Sequence, residues 1–173
     1  MTGSLRIALL RGVNVGGITV KSAQLAEVFR GLGFDEVRTV LASGNVLFAG
    51  QGGPSEQTAT IEKGLSDAFG YQARVIVTDQ AAVDAIVAAY PFDEVDDRQP
   101  YVIFAQTADD LPTLVDLAGD LDPEIERVRA GDGVLYWEVR KGMSTDSAFS
   151  KRTARTPGIL TTTRNLRTLR KLL

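Results

Sequence analysis

The feature of this sequence that most restricts its fold is the order in which short strand-like runs and longer helical stripes follow one another. Period-two alternation indicates strands, and a period of 3.6 residues indicates amphipathic helices. In the first half the strand runs are Leu5–Leu10, Val37–Leu41, Asn45–Ala49 and Gln72–Val77, and the helical stripes are Lys21–Leu32 and Ser55–Phe69. This order is that of the split βαβ, or ferredoxin-like, arrangement, which has four antiparallel strands and two helices on one face.

The second half repeats most of this order. A strand at Tyr101–Gln106 precedes a helical stripe, and Gly131-Asp132-Gly133 is a hairpin signal between two further runs. The later elements expected are strands at Ile125–Ala130 and Val134–Arg140, a weak helix at Thr145–Arg155 and a fourth strand near Gly158–Thr162. We therefore predict an α+β protein of two tandem ferredoxin-like subdomains with antiparallel sheets, the second less complete.

The tail from Thr163 to Leu173 is expected to form a short helix that packs through Leu166, Leu169 and Leu173. An acidic, polar segment at Phe92–Pro100 is the expected joint between the halves. The predicted division is residues 1–92, the first subdomain with a linking helix, and residues 93–173, the second subdomain with the basic C-terminal helix. A chain of 173 residues can give each half a core without disulfides.

Histidine and cysteine are both absent from the chain. Their absence excludes Ser-His-Asp and Cys-His catalysis, imidazole or thiolate zinc sites and haem ligation by histidine or thiolate. Adjacent acids such as Asp93-Glu94 and Asp109-Asp110 are expected to be solvated or to cap helices. No metal site and no cofactor are predicted, and any enzyme would depend on Lys, Tyr or a carboxylate for proton transfer.

The charges are distributed unevenly along the chain. Residues 1–150 hold 12 Lys and Arg against all 22 Asp and Glu, whereas residues 151–173 hold seven basic side chains and no acid. Such a tail binds an external anion or docks on its own acidic body. Nucleic acid is disfavoured as a partner, because an acidic body repels phosphate backbones. No apolar run is long enough for a membrane span, and no signal peptide is evident, so a cytoplasmic location is expected.

The segment RGVNVGG, from Arg11 to Gly17, follows the first strand and precedes the first helix. Backbone N–H groups of such a turn can form an anion nest beside the positive end of a helix. Neither the P-loop nor the dinucleotide fingerprint fits its spacing. The alternative is a tight turn with no ligand. The candidate ligand-binding residues here are Arg11, Asn14, Gly16 and Gly17.

Two further polar motifs are candidates. Ser43 and Asn45 belong to Ser-Gly-Asn, which is expected either as a plain hairpin turn at the sheet end opposite the first-strand exit or, if the strands curl, beside the first strand. In Thr161-Thr162-Thr163-Arg164-Asn165, the threonines are expected to cap a helix and Arg164 to present its guanidinium to phosphate or carboxylate. The alternative is capping with a salt bridge to the acidic body. The candidate residues of this region are Lys151, Thr163, Arg164 and Asn165.

Three segments in this order, ALLRGVNVGG, SGNVLF and TTTRNLRTLRKL, resemble the bacterial family called domain of unknown function 1697. The resemblance extends over essentially the whole chain and implies two ferredoxin-like subdomains, but no established activity. Ala42 and Leu166 depart from the Gln and Trp usual in the family, and the change to Leu166 removes a stacking surface.

The leading hypothesis is a binding module in which Arg11, Asn14, Asn45, Arg164 and Lys151 converge on a groove for a small phosphate-bearing ligand. The second is a structural or protein-interaction domain. An enzyme has less support, because without histidine or cysteine it would need Lys, Tyr or a carboxylate as its acid–base group. RNA binding by a sheet face also has less support, because the exposed aromatic pairs that such sheets use for stacking are not evident.

Overall fold

The structure is a computed structural model that describes residues 3–11, 19–41, 44–156 and 158–173. Within these ranges the chain forms eight strands and six α-helices. It divides into two compact units. The first unit comprises Met1–Asp84 and Arg170–Leu173, and the second comprises Ala85–Leu169.

The first unit has the complete ferredoxin-like order. Its elements are β1 (Leu5–Arg11), α1 (Ser22–Gly31), β2 (Asp35–Val40), β3 (Asn45–Ala49), α2 (Pro54–Phe69) and β4 (Arg74–Asp79). The strands lie in the order β2-β3-β1-β4, and every neighbouring pair is antiparallel. A further helix, α3 (Gln80–Ala88), follows directly and spans the boundary between the units.

The helix-facing side of the first sheet carries an aromatic core. Phe29 of α1, Phe34 and Phe48 of β3 pack with ring centroids 4.7–6.0 Å apart. Around them are buried aliphatic residues of the strands and of both helices, among them Leu10, Ile61 and Leu65. Because alternate strand residues point to opposite faces, Ile7 and Leu9 lie on the other face, where they are also fully buried.

The second unit has the same order and the same sheet topology. Its elements are β5 (Arg98–Ala105), a short 3₁₀ turn (Ala108–Asp110), α4 (Leu111–Leu117), β6 (Glu126–Ala130), β7 (Val134–Arg140), α5 (Ala148–Ala154) and β8 (Thr161–Asn165). The strand order is β6-β7-β5-β8, again antiparallel throughout. The prediction of two ferredoxin-like subdomains is therefore confirmed, and the second unit is complete rather than reduced.

One segment differs from its prediction. The run from Thr161 to Asn165 is the edge strand β8 and not the start of a helix, and it pairs with β5 so that Ile103 lies opposite Thr163. β-Branched threonines fit a pleated strand well, and the hydrogen bonds of β5 fix their conformation. The tail helix α6 covers only Leu166–Arg170. In the tail, Leu172 is fully buried, whereas Leu173, predicted to pack, is exposed.

The division into units differs from the predicted boundary at residues 92 and 93. α3 is shared between the units instead of belonging to the first half, and the last four residues belong to the first unit. Two hydrogen bonds attach this end of the chain: Arg38 Nη2 donates to the carbonyl of Lys171, and Gln80 Nε2 donates to that of Leu172.

Candidate functional site

The end of β1 brings two arginines together in the first unit. Arg11, the last residue of β1, lies directly opposite Arg74, the first residue of β4. Residues opposite each other in an antiparallel pair project from the same face, and here that face is opposite the one that carries Leu10. Arg11 is exposed and Arg74 is half-buried. One guanidinium nitrogen of Arg74, Nη1, donates to the carbonyl of Ala73 at 3.2 Å.

The second motif lies at this same end of the first sheet. Asn45 pairs with Leu9, and the amide of Leu10 donates to the carbonyl of Gly44 at 2.8 Å. Of the two alternatives left open by the sequence, Asn45 therefore lies beside the first strand and not at the opposite end of the sheet. β1 and β2 run in the same direction with β3 antiparallel between them, so the exit of β1 and the entry of β3 meet at one edge.

Asn45 has a structural contact at this position. Its side chain is fully buried, and Nδ2 donates to the carbonyl of Val40 at 2.9 Å. This bond joins the last residue of β2 to the first residue of β3 across the turn. Asn14, Gly16, Gly17 and Ser43 lie outside the described residues, so their predicted ligand contacts stay predictions.

The third motif places its side chains on two faces of the second sheet. Thr161 and Thr163 project to the face that α5 covers, where they line a cavity of about 310 Å³. Arg164 projects to the other face and is only 8% exposed. Its Nη1 donates to the carbonyl of Thr163, and burial lowers the pKa of its guanidinium to about 10, so the group stays charged at neutral pH.

Asn165, the last residue of β8, makes hydrogen bonds where the strand passes into α6. Its Nδ2 donates to Gln99 Oε1 at 3.1 Å, and its Oδ1 accepts the backbone N–H of Arg167 at 2.9 Å. The second bond is a side-chain-to-backbone contact two residues along the chain, of the kind that starts a turn. Asn165 thus binds its own unit through both ends of its amide.

Lys151 and Arg152 are neighbours on α5 with different surroundings. Lys151 is exposed. Arg152 Nη1 donates to the carbonyl of Leu117, the last residue of α4, at 3.0 Å and to that of Gly119, just after the helix, at 2.6 Å. A cation in this position satisfies carbonyls that a helix end leaves without partners. Part of the basic C-terminal region is therefore used within the second unit.

The predicted site residues thus separate by unit. Arg11 and Asn45 share one end of the first sheet, whereas Lys151, Thr163, Arg164 and Asn165 belong to the second unit. Within that unit Arg164 and Thr163 occupy opposite faces. A groove that joins the first and third motifs stays a prediction.

Sequence reasoning missed the partners that tertiary structure supplies. Arg74 was not singled out, because nothing in its neighbourhood of the sequence shows that β4 will place it opposite Arg11. The cavity beside Thr163 was missed as well, since its other walls come from β5, β7, the segment after β7 and α5. Trp137 of β7 forms part of one of these walls and is only 6% exposed.

The fold defines the chain as an α+β protein of two ferredoxin-like units with polar motifs at the ends of strands. A comparison with protein families shows which family it belongs to. The model of the family described as "Protein of unknown function (DUF1697)" matches residues 4–136. The chain therefore belongs to this family. The matched range includes the first two motifs and ends before the third.

A solved structure agrees on the fold. The conserved bacterial protein SP0830 from Streptococcus pneumoniae superposes with a TM-score of 0.76 at 21% identity, over 99% of this chain and 96% of that chain. An unknown protein from Galdieria sulphuraria reaches a TM-score of only 0.28 at 10% identity, over 95% of this chain and 99% of that one, and carries no argument. A search of curated proteins finds no match.

Two further properties concern the described residues alone. No cluster of three or more acidic side chains there is arranged to hold a metal ion. None of the helices in the described ranges combines the length and the apolar character that crossing a bilayer requires.

Proposed function

We propose that the protein is a binding module for a small phosphate-bearing anion, held at the end of β1 by Arg11 and Arg74. The observation that carries this proposal is the cross-strand pairing of these two residues. Like charges directly opposite each other in a sheet destabilise it. An anion bound between the two guanidinium groups would attract both of them.

The chemistry of the pair fits a phosphate. A guanidinium presents N–H donors in a planar fork that matches two phosphate oxygens, and such charge-assisted bonds are stronger than neutral ones. Arg74 is half-buried, so solvent screens its charge less than that of a fully exposed arginine. Among the described residues, no carboxylate lies within ion-pair distance of Arg74.

The first motif supplies the rest of the proposed site. Its glycine-rich segment follows Arg11 directly in the sequence, and the proposal assigns backbone N–H donors from Gly16 and Gly17, with the amide of Asn14, to the same anion. Asn45 is assigned to the turn, because its amide already donates to Val40. Arg164 is not part of the proposed anion site, because it is buried in the second unit.

Titration of the full-length chain with inorganic phosphate, pyrophosphate and a nucleoside monophosphate at low ionic strength tests this proposal. Binding should raise the melting temperature by mass action. Arg11→Ala and Arg74→Ala should each weaken binding by about tenfold or more, since a hydrogen bond to a charged group contributes roughly 1.5–3 kcal/mol.

The matched control is Arg30→Ala. Arg30 is an exposed arginine of the same unit that pairs with Glu27 at 3.6 Å, and its removal should leave anion binding unchanged. If Arg30→Ala and Arg11→Ala weakened anion binding equally, the loss would reflect the change in net charge and not a specific site. An absence of binding by all three anions would overturn the proposal.

A structural or protein-interaction role is the second candidate, and the third motif favours it. Arg164 is buried, and Asn165 bonds to Gln99 and to the backbone at Arg167. If this role is the whole function, Arg164→Ala will lower the melting temperature, while the anion titrations will show no binding in the unaltered chain.

A further inference from the structure

The second unit contains a cavity that the anion site does not use. It has a volume of about 310 Å³ and lies between the helix-facing side of the second sheet and α5. Its lining includes Tyr101, Trp137, Ser144, Thr161 and Thr163. All of them belong to the second unit. The volume is at the lower limit of the range typical of ligand pockets, roughly 300–1,000 Å³, which restricts an occupant to a small molecule no larger than a nucleoside.

The polar groups of the cavity are hydroxyls. Three of them, on Tyr101, Ser144 and Thr163, form no hydrogen bond with any described residue. Each hydroxyl can donate and accept. Among the described residues that line the cavity, none is charged. A charged ligand would lose hydration without gaining a counter-charge, so the lining selects an uncharged molecule that carries both donors and acceptors.

The floor of the cavity is aromatic. The rings of Tyr101 and Trp137 lie 5.2 Å apart between centroids with an interplanar angle of 30°, and Phe149 packs on Trp137 at 5.8 Å. Trp137 is buried and supports Tyr101, which is half-buried and so offers ring surface to an occupant. Offset stacking of a flat ring on such a surface is favourable.

A buried carboxylate holds two walls of the cavity in place. Glu126 accepts from the indole N–H of Trp137 at 3.0 Å through Oε1, and from the backbone N–H of Phe149 at 3.2 Å through Oε2. It thereby ties β7 to the first turn of α5. Aromatic floor and helical wall are preorganised relative to each other, which reduces the ordering cost of binding.

We propose that this cavity binds an uncharged planar heterocycle, of the size of a nucleobase or nucleoside, between Tyr101 and the hydroxyls of β8. Its face lies against the Tyr101 ring, and its edge exchanges hydrogen bonds with Thr163 and Ser144. This site is independent of the anion site of the first unit.

Fluorescence provides a direct measurement, because Trp137 is the only tryptophan of the chain. Titration of the full-length protein with adenosine, guanosine, cytidine and uridine should change its emission. Glucose and galactose form the second arm. A response to nucleosides alone supports the proposal, whereas a response to the pyranoses alone overturns the assignment of a planar ring. No response in either arm, checked by calorimetry, overturns the cavity as a binding site.

Two threonines of the same strand give a matched pair of variants. Thr163→Val removes a cavity hydroxyl at nearly constant shape, and it should weaken nucleoside binding by roughly three- to tenfold. Thr162→Val makes the same change on the opposite face of β8 and should leave binding unchanged. Equal affinities of the two variants would place the ligand elsewhere.

Discussion

The two units have the same fold but fill it differently on the helix-facing side. In the first unit β4 directs Val75 and Val77 towards the helices, where they join the aromatic core. In the second unit the corresponding strand, β8, directs Thr161 and Thr163 into a cavity. Valine and threonine have nearly the same shape, so strand pairing is unaffected while the chemistry of the surface changes.

Helix length accounts for the space itself. α2 has 16 residues and α5, its counterpart, has seven. At a rise of 1.5 Å per residue, these helices cover about 24 and about 10 Å of sheet respectively. The shorter helix leaves part of the second sheet uncovered, and hydroxyls can occupy that part because they do not need full burial. One topology thus provides a closed core in one unit and an open cavity in the other.

The largest expected loss of stability comes from removing a side chain of the closed core, and it is compared with removing one from the cavity wall. Phe48→Ala should destabilise the protein by about 3–5 kcal/mol, because Phe29 and Phe34 surround the side chain that is lost. Phe149→Ala should cost less, since the space it vacates joins a cavity that water can enter. Urea denaturation, monitored by hydrogen exchange of the β1 and β5 amides, measures the loss of stability in both variants. A larger loss for Phe149→Ala would contradict the comparison.

The next effect concerns the buried carboxylate of the second unit. Glu126→Ala should cost about 2–4 kcal/mol, because the N–H groups of Trp137 and Phe149 would lose their acceptor. Glu126→Gln should cost less, since its amide oxygen can still accept one of the two bonds. Equal midpoints in urea for the two variants would show that the hydrogen bonds contribute little.

Alkaline pH should destabilise both units, because each contains a tyrosine whose phenol is kept neutral by burial. Burial, with the nearby charges of Glu138 and Glu94, raises the pKa of Tyr90, and burial with Asp132 raises the pKa of Tyr136. A raised pKa means that folding favours the neutral phenol. The stabilisation is therefore complete below pH 10, the ordinary pKa, and is lost as the pH rises above it. In the first unit burial also raises the pKa of Tyr71.

Tyr90→Phe tests this expectation. The variant should lose less stability than the unaltered chain between about pH 9 and pH 11. The difference should stay below about 1.4 kcal/mol per pH unit, because solvent screens a half-buried phenol. Urea midpoints across this interval give the slope. Identical slopes for the two proteins would exclude Tyr90 as a contributor.

The smallest effects are expected on β8 in the absence of ligand. Thr162 is buried, and its hydroxyl has no hydrogen-bond partner among the described residues. Thr162→Val should therefore stabilise the protein by up to about 1 kcal/mol. Thr163→Val should change the free energy of unfolding by less than about 0.5 kcal/mol, since the cavity is open to water. Thermal denaturation of both variants shows which one is more stable. A higher melting temperature for Thr163→Val would contradict the assignment of Thr162 to the buried face of β8.

The sequence alone predicted the element order, both hairpins and the ferredoxin-like fold of each half. The bounds of β3, Asn45–Ala49, and β7, Val134–Arg140, coincide with their predictions. These features are local: alternation, helical stripes and glycine turns are properties of short stretches. Gly133, with φ of 75°, shows why the second hairpin signal was clear, since this conformation favours glycine.

Only the tertiary structure decided the state of Thr161–Asn165 and the neighbours of each motif. Five residues with threonines can cap a helix or form a strand, and the choice depends on hydrogen bonds to β5, about 60 residues earlier in the chain. That pairing also separates Thr163 from Arg164 by face. In the first unit, the pairing of β1 with β4 places Arg74 opposite Arg11. Contacts between residues distant in sequence cannot be predicted from a local pattern, because the periodicity of a segment indicates a strand but not the strand with which it pairs.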